Sequence, residues 1–215
     1  MDSRTRGGAQ RVVWTGFIGA FLVLWFAGCA ELAYRQMNDP ARDAWQKPKT
    51  VIEMLAIAPG SNVADLGAGG GYFTWYLAEA VGPHGAVYAV EINDTALQML
   101  EQARTSRGAT HVVPVRARPE SANLPEPVDL VFNCDTYHHM EHRTAYFHAL
   151  ARHLRPGGRV AILEFHPRGF FSGLLRHGTA KEVVRHEMEA AGYRLVSDFD
   201  VIDRQHFQIF ALRNE

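Results

Sequence analysis

The sequence predicts an α/β protein with a doubly wound, mainly parallel sheet, preceded by an apolar helix at the N terminus. From about residue 50 onward, short apolar strand patterns alternate with helical patterns, the order that crossover units produce. A glycine-rich loop joins the first of these strands to a helix. An uncharged stretch, Val12–Ala30, follows three arginines near the start of the chain and predicts the apolar helix.

The composition is that of an ordinary globular protein. The chain has 215 residues, with 22 Lys+Arg against 23 Asp+Glu and a formal net charge of −1. This length corresponds to one domain or at most two. A net charge near zero argues against a nucleic-acid partner held mainly by phosphate contacts. The two cysteines, Cys29 and Cys134, are too few for a disulfide framework or a Cys-rich zinc site.

Residues 1–30 have the pattern of an export signal, because basic residues precede an apolar stretch and small residues precede Cys29. The end of the stretch, Phe26-Ala27-Gly28-Cys29, resembles the cleavage box of a bacterial lipoprotein, in which Cys29 would become the lipidated first residue. The alternative is an uncleaved membrane anchor, since Val12–Ala30 would span about 28 Å as a helix.

Both interpretations attach the chain to a membrane and place the rest of it on the exported side, because the basic residues precede the apolar stretch. A translation start at Met37 is a third possibility and would give a cytoplasmic protein without this segment. Residues 31–49 are polar, contain Pro40 and Pro48, and are predicted to form a linker and a short helix. Residues 50–215 are predicted to form the folded domain.

Each helix is predicted from apolar spacing together with a start or stop signal, such as Asn93 or Asp94 as a cap and Pro156-Gly157-Gly158 as a stop. The predicted helices are Val51–Ile57, Tyr72–Val81, 93–104, Thr144–Leu154 and 180–191. Short apolar runs between them predict strands at Val63–Leu66, Ala86–Val90, His111–Val115, Val128–Phe132, Arg159–Phe165, Leu195–Phe199 and Phe207–Leu212.

The loop after the first strand reads Gly67-Ala68-Gly69-Gly70-Gly71 and is preceded by Asp65. Glycines let the backbone turn tightly and approach a ligand closely. A dinucleotide fingerprint needs a third glycine where Tyr72 stands, which disfavours an NAD-dependent oxidoreductase. No Gly-Lys-Ser/Thr follows the loop, so it is not a phosphate-binding P-loop.

Glu91 ends the second strand, about twenty residues beyond the last glycine of the loop. An acid at this place can accept hydrogen bonds from both hydroxyls of a ribose. Glycine loop, strand and acid together predict the adenosine-binding half of a nucleotide fold.

These residues resemble the class I S-adenosylmethionine-dependent methyltransferases, and the resemblance covers about residues 50–213. Asp65 to Gly71 resembles the first motif of that family, and Leu154-Arg155-Pro156-Gly157-Gly158 resembles its turn before the fifth strand. Glu120 matches the acidic position that neighbours the adenine. More narrowly, residues 42–46, 63–74 and 134–147 resemble a bacterial subgroup of unassigned substrate in which many members carry export signals.

The resemblance implies a Rossmann-like methyltransferase fold with seven strands, helices on both faces and an antiparallel last strand. It also implies S-adenosylmethionine as the cofactor and a small molecule as the methyl acceptor. The residues predicted to contact the cofactor are Asp65, Gly67, Gly69, Gly71, Glu91, Glu120 and Asn133.

The fourth strand leads into Asn133-Cys134-Asp135-Thr136-Tyr137-His138-His139. Ligands of open α/β sheets bind beyond the carboxyl ends of the strands, so this segment is expected to face the acceptor. Histidine is the favoured base because its pKa lies near neutrality. The candidates for acceptor contact or proton removal are Asp135, Tyr137, His138 and His139. No metal site is predicted, because adjacent histidines do not converge on one ion without further ligands.

The predicted function is therefore methyl transfer from S-adenosylmethionine to an unidentified small molecule. An alternative of another class is an exported binding module that keeps the nucleoside pocket without turnover. A membrane tether would bring a lipid or quinone acceptor within reach, although position alone does not identify a substrate.

Overall fold

The computed structural model describes residues 31–167 and 178–213. The predicted signal or anchor, the apolar N-terminal helix and Cys29 lie outside these ranges. Among the helices within them, none combines the length and the apolar character that crossing a bilayer requires.

One sheet organises the structure. Its strands are β1 (Asn62–Leu66), β2 (Ala86–Glu91), β3 (Val112–Arg116), β4 (Val128–Cys134), β5 (Leu154–Phe165), β6 (Tyr193–Ile202) and β7 (Gln205–Leu212). Their spatial order is β3-β2-β1-β4-β5-β7-β6. The order reverses between β1 and β4, the place where open α/β sheets bind ligands.

The sheet is mixed rather than wholly parallel. Four strand pairs are parallel, namely β2–β3, β1–β2, β1–β4 and β4–β5. Strand β7 runs antiparallel to both of its neighbours, β5 and β6. The seven strands and the antiparallel last strand that the family resemblance implies are therefore confirmed.

Six helices can be bounded in the described ranges: α1 (Asp43–Gln46), α2 (Pro48–Leu55), α3 (Tyr72–Val81), α4 (Asp94–Arg107), α5 (Arg143–Leu150) and α6 (Lys181–Ala190). Residues 31–37 are also helical. The predicted cap of α4 is present, since the Asn93 side chain accepts hydrogen bonds from the backbone N–H groups of Thr95 and Ala96 at 2.9 and 3.3 Å. Helix α3 has the bounds that the sequence predicted.

The helix predicted over Thr144–Leu154 is α-helical only to Leu150 and continues as a 3₁₀ turn over Ala151–His153. Helix α5 ends at Leu150, and β5 begins four residues later and includes Pro156-Gly157-Gly158. The register between β4 and β5 skips residues 155–158, so this turn sequence forms an irregularity within the strand instead of ending a helix. A bulge accommodates proline and glycine in a strand, and the sequence pattern does not distinguish it from a helix stop.

The two faces of the sheet carry separate apolar clusters. Successive residues of β4 alternate between them, with Val131 in one cluster and Leu130 and Phe132 in the other. Phe132 is fully buried, and its ring packs edge-on against Phe73 of α3 at a centroid distance of 4.9 Å. Burial on both faces holds the central strands rigidly, so their carboxyl ends provide a fixed frame for the polar residues that follow.

Candidate active site

A cleft of about 860 Å³ lies at the carboxyl ends of β1, β2 and β4. This volume is within the range typical of small-molecule sites. Its walls include the glycine loop, residues 134–136 and 138–141, and parts of the N-terminal segment, by which we mean residues 31–47. The cleft is at the edge of the sheet where the sequence predicted the ligand.

The glycine loop needs glycine at two positions for different reasons. Gly67 has a φ of +80°, and a Cβ atom placed on it would overlap the side chain of Thr136, which follows β4. Gly69 has a φ of +55°, and a Cβ atom there would meet only the Tyr34 ring, at 3.8 Å. The first glycine therefore permits close packing within the protein, whereas the second leaves the backbone accessible from the cleft. Gly71, with a φ of +94°, directly precedes α3.

Asp65 is buried at the end of β1 and lines the cleft. Its carboxylate accepts a hydrogen bond of 2.6 Å from the Thr74 hydroxyl on α3. Burial raises the pKa of Asp65 to about 7, and the nearby charge of Glu91 acts in the same direction. Asp65 thus joins the strand before the glycine loop to the helix after it.

Glu91 joins the glycine loop to β2. Its carboxylate accepts hydrogen bonds from three backbone N–H groups, those of Gly69 at 2.8 Å, Ile92 at 2.7 Å and Asn93 at 2.9 Å. The side chain also lines the cleft. An ionised carboxylate has about four acceptor sites, so these contacts leave it able to accept from a ligand hydroxyl.

Asn133 joins the ends of β1 and β4 from a fully buried position. Its amide Nδ2 donates to the Leu66 carbonyl at 3.0 Å, and its Oδ1 has no hydrogen-bond partner among the described residues. Asn133 is not among the residues that line the cleft. Its predicted contact with the cofactor stays a prediction.

Asp135 follows β4 in a left-handed backbone conformation, with a φ of +53°. Its carboxylate accepts hydrogen bonds from Gln205 Nε2 at 2.6 Å and Gln46 Nε2 at 3.3 Å, and the Arg42 guanidinium lies 3.6 Å away. Burial raises the pKa of Asp135 to about 6 despite the donors around it. The carboxylate lines the cleft and is also where the N-terminal segment attaches to the domain.

The N-terminal segment, over which the sequence predicted a linker and a short helix at residues 31–49, packs against the domain. Asn38 Nδ2 donates to the carbonyl of Gly70 in the glycine loop at 2.6 Å. Asp43 accepts hydrogen bonds from the hydroxyls of Tyr72 and Tyr76 on α3 at 2.6 and 2.8 Å. The segment adds residues to the cleft wall that sequence reasoning missed, namely Tyr34, Met37, Asn38, Arg42 and Trp45. The sequence feature that could have indicated this role is the resemblance of residues 42–46 to the bacterial methyltransferase subgroup.

His138 and His139 lie in a 3₁₀ turn beyond β4, and both line the cleft. The Nδ1 atom of His138 is 2.8 Å from Glu164 Oε1, and its backbone N–H donates to Glu164 Oε2 at 3.2 Å. The hydrogen bond with Glu164 raises the pKa of His138. His139 is exposed, and its ring centroid is 4.0 Å from that of His138.

Tyr137 does not reach the cleft, which corrects its prediction as a catalytic candidate. The side chain is fully buried, its hydroxyl donates to Glu187 on α6 at 2.6 Å, and its ring stacks on Phe147 at 5.5 Å. Successive side chains of a 3₁₀ turn point about 120° apart, so Tyr137 turns into the core while its neighbours line the cleft.

Glu120 is also absent from the cleft wall. The side chain is exposed and borders a separate small depression near α5, whereas residues 117–119 line the cleft. Its predicted contact near the adenine stays a prediction. In residues 31–167 and 178–213, no group of three or more His, Cys, Asp and Glu side chains is placed to hold a metal ion.

Comparison with known proteins finds methyltransferases. A family model described as a methyltransferase domain matches residues 64–160. The ubiquinone/menaquinone biosynthesis C-methyltransferase UbiE of Ectopseudomonas mendocina is 31% identical over 140 residues, which cover 63% of this chain and 55% of that protein. UbiE of Burkholderia vietnamiensis is 33% identical over 139 residues, 61% of this chain and 55% of that protein. Together with the fold, these matches support a class I S-adenosylmethionine-dependent methyltransferase.

Solved structures show the same fold. A SAM-dependent methyltransferase from Aquifex aeolicus superimposes with a TM-score of 0.77 at 21% identity, covering 85% of this chain and 98% of that one. Magnesium protoporphyrin IX methyltransferase from Synechocystis, with bound SAH, gives a TM-score of 0.61 at 18% identity, with 79% and 83% covered. This methyltransferase spans about half the length of the curated UbiE relatives that it matches.

The cofactor of the family is S-adenosylmethionine, and the cleft residues fit it. The accessible backbone at Gly69 suits close approach of a ligand, and the Glu91 carboxylate is an acceptor for ribose hydroxyls. The buried Asp65 and the partly buried Asp135 are further carboxyl groups on the cleft wall. These carboxyl groups receive hydrogen bonds mainly from uncharged donors. They therefore suit a positively charged ligand, such as one with a sulfonium or an amine group.

Gly67→Ala is expected to destabilise this methyltransferase and weaken its binding of S-adenosylhomocysteine, because the new methyl group displaces Thr136 from the glycine loop. Gly60→Ala is the matched control, since Gly60 has a similar φ of +83° and nothing lies within 4 Å of its Cβ position. Backbone strain alone costs about 1 kcal/mol or somewhat more at either site. Urea unfolding and calorimetry should show the larger loss for Gly67→Ala. Equal losses for the two variants would contradict the packing role of Gly67.

Proposed function

We propose that this chain transfers a methyl group from S-adenosylmethionine to a small-molecule acceptor in the cleft described above. The observation that supports this most strongly is that a single cleft contains members of both sets of predicted residues, the cofactor contacts and the acceptor contacts. The glycine loop and Glu91 form one part of its wall, and Asp135 and His138 form another. The two parts follow neighbouring parallel strands, β1 and β4, so they meet at one edge of the sheet.

The glycine loop, Asp65 and Glu91 hold the cofactor in this proposal. S-adenosylmethionine supplies a methyl group activated by its sulfonium sulfur. The task of the chain is then to orient the reactants and exclude water, which accounts for much of the rate advantage in such transfers. The aromatic side chains of Tyr34, Trp45 and Tyr72 line the cleft and serve this purpose.

The acceptor side of the cleft favours a small, partly apolar molecule. Its apolar wall consists of Trp45, Met140, Tyr146 and Phe165, together with polar groups from Asp135 and His138. Apolar walls with a few placed polar groups are typical of small-molecule sites. The similarity to UbiE, named for ubiquinone and menaquinone biosynthesis, supports quinone precursors as the first acceptors to test.

We also infer from residues 1–30 that the chain is attached to a membrane, through a lipid on Cys29 or through an uncleaved helix. Mass spectrometry of the native N terminus distinguishes these forms. A lipid-modified Cys29 or an intact uncleaved N terminus is expected. An unmodified chain that starts at Met37 would contradict the attachment.

The proposed cofactor site predicts that Glu91→Ala binds S-adenosylhomocysteine about 10- to 100-fold more weakly than the wild type. The reason is that hydrogen bonds to a charged group contribute about 1.5–3 kcal/mol, and about 1.4 kcal/mol corresponds to a factor of ten. Isothermal titration calorimetry of the full-length chain in detergent measures the dissociation constants.

Glu79→Ala is the control for that measurement, because Glu79 is exposed on α3 and does not line the cleft. It removes the same charge and should leave the dissociation constant unchanged. Wild-type protein that does not bind S-adenosylhomocysteine, or equal affinities in all three proteins, would overturn the proposed function.

A further inference from the structure

The N-terminal segment is fixed to the domain at several points along its length. Asn38 Nδ2 donates to the carbonyl of Gly70 at 2.6 Å, and the Tyr34 ring lies 3.8 Å from the Cβ position of Gly69. Further along, Gln46 is fully buried, and its amide donates to side chains after β4 and on β7. The segment therefore leaves the domain little freedom to move away from the part of the chain that precedes it.

This docking limits the distance between the cleft and the apolar stretch Val12–Ala30. The stretch ends four residues before Tyr34, which lines the cleft. A chain extends by at most about 3.6 Å per residue, so those four residues cover at most about 14 Å, and the five from Cys29 cover about 18 Å. A free chain over residues 31–49 would instead span up to about 68 Å. Attachment through a lipid on Cys29 or through the apolar stretch therefore holds the cleft at the membrane surface.

Exposed apolar side chains lie at the same place. Among the described residues, six large apolar side chains are exposed, and three of them lie at the cleft or on the helix that leads into it. Leu32 and Met37, on that helix, are 58% and 53% exposed, and Ile92, which follows β2, is 52% exposed. Met37 and Ile92 also line the cleft. We call Leu32, Met37 and Ile92 the apolar rim.

The position of the apolar rim indicates what covers it. The helix that carries Leu32 and Met37 directly follows the apolar stretch, so a bilayer that holds the stretch lies beside the rim. Glu31 and Arg35 of this helix form an ion pair of 2.7 Å, and the helix carries no net charge. Apolar side chains at such a place enter the boundary between lipid headgroups and acyl chains.

We propose that the apolar rim contacts a lipid bilayer and that the methyl acceptor enters the cleft from that bilayer. The inference rests on the proposed function and on the attachment through residues 1–30, and it narrows the acceptor to an amphiphilic molecule that dissolves in membranes. The acceptor wall suits the apolar part of such a molecule, because the rings of Trp45 and Phe165 stack at a centroid distance of 5.8 Å and both line the cleft.

Nuclear magnetic resonance of the full-length chain with ¹³C-labelled methionine methyl groups tests the proposal without an acceptor. The chain is placed in nanodiscs of phosphatidylethanolamine and phosphatidylglycerol that contain a lipid with a nitroxide on its headgroup, which broadens the signals of nearby methyl groups. Met37→Leu identifies the Met37 signal by its loss. The Met37 signal should be strongly broadened, whereas that of the fully buried Met188 on α6 should keep its intensity.

Two single substitutions add matched methyl probes at similarly exposed positions. Ile92→Met places a methyl group on the apolar rim, and Val196→Met places one on β6, where Val196 is 47% exposed. Strands β2 and β6 are five positions apart in the sheet, which corresponds to about 24 Å. The new signal of Ile92→Met should be broadened, and that of Val196→Met should stay sharp.

Equal broadening of the two new signals would overturn the proposal, as would sharp signals from Met37 and from Ile92→Met in chains that co-elute with the nanodiscs. A chain that separates from the nanodiscs would overturn it together with the attachment. S-adenosylhomocysteine binding is measured on the same samples, so failure of the proposed methyl transfer appears separately, as absent binding in the wild type.

Discussion

The contact between the glycine loop and the end of β4 is the constraint on which the site depends. Gly67 packs so closely against Thr136 that no side chain fits between them. Asn133 closes the same junction through its hydrogen bond to the Leu66 carbonyl. The loop proposed to bind the cofactor and the residues proposed to face the acceptor therefore form one unit. A change in either strand end would alter the distance between the two reactants.

Several poorly solvated carboxyl groups also lie together at the carboxyl ends of the central strands. Asp65 is bonded to a hydroxyl and Glu91 to backbone N–H groups, whereas Asp135 is bonded to side-chain amides and has the Arg42 guanidinium 3.6 Å away. Neutral donors compensate only part of the desolvation cost, which is why the pKa values of Asp65 and Asp135 are raised. A cationic ligand would provide the missing compensation, so the electrostatics of the cleft and the chemistry of a sulfonium cofactor agree.

Much of the fold could be predicted from the sequence because the decisive signals are local. Helix α3 was predicted at its observed bounds, and the glycine loop lies between β1 and α3 as expected. The contacts of the N-terminal segment could not be predicted because they are remote in sequence: Gln46 bonds to Gln205, 159 residues away. The side-chain direction of Tyr137 could not be predicted either, since it depends on the 3₁₀ turn after β4. The contact between Glu164 and His138 depends on the same turn and could not be predicted for the same reason.

Amide hydrogen exchange of the full-length chain, with and without saturating S-adenosylhomocysteine, tests the central claim most directly. The account predicts slower exchange in three separate segments, 66–71, 91–93 and 133–138, because one ligand would contact all three strand ends. Protection confined to other parts of the chain, or to only one of these segments, would contradict a single cofactor cleft formed jointly by β1, β2 and β4.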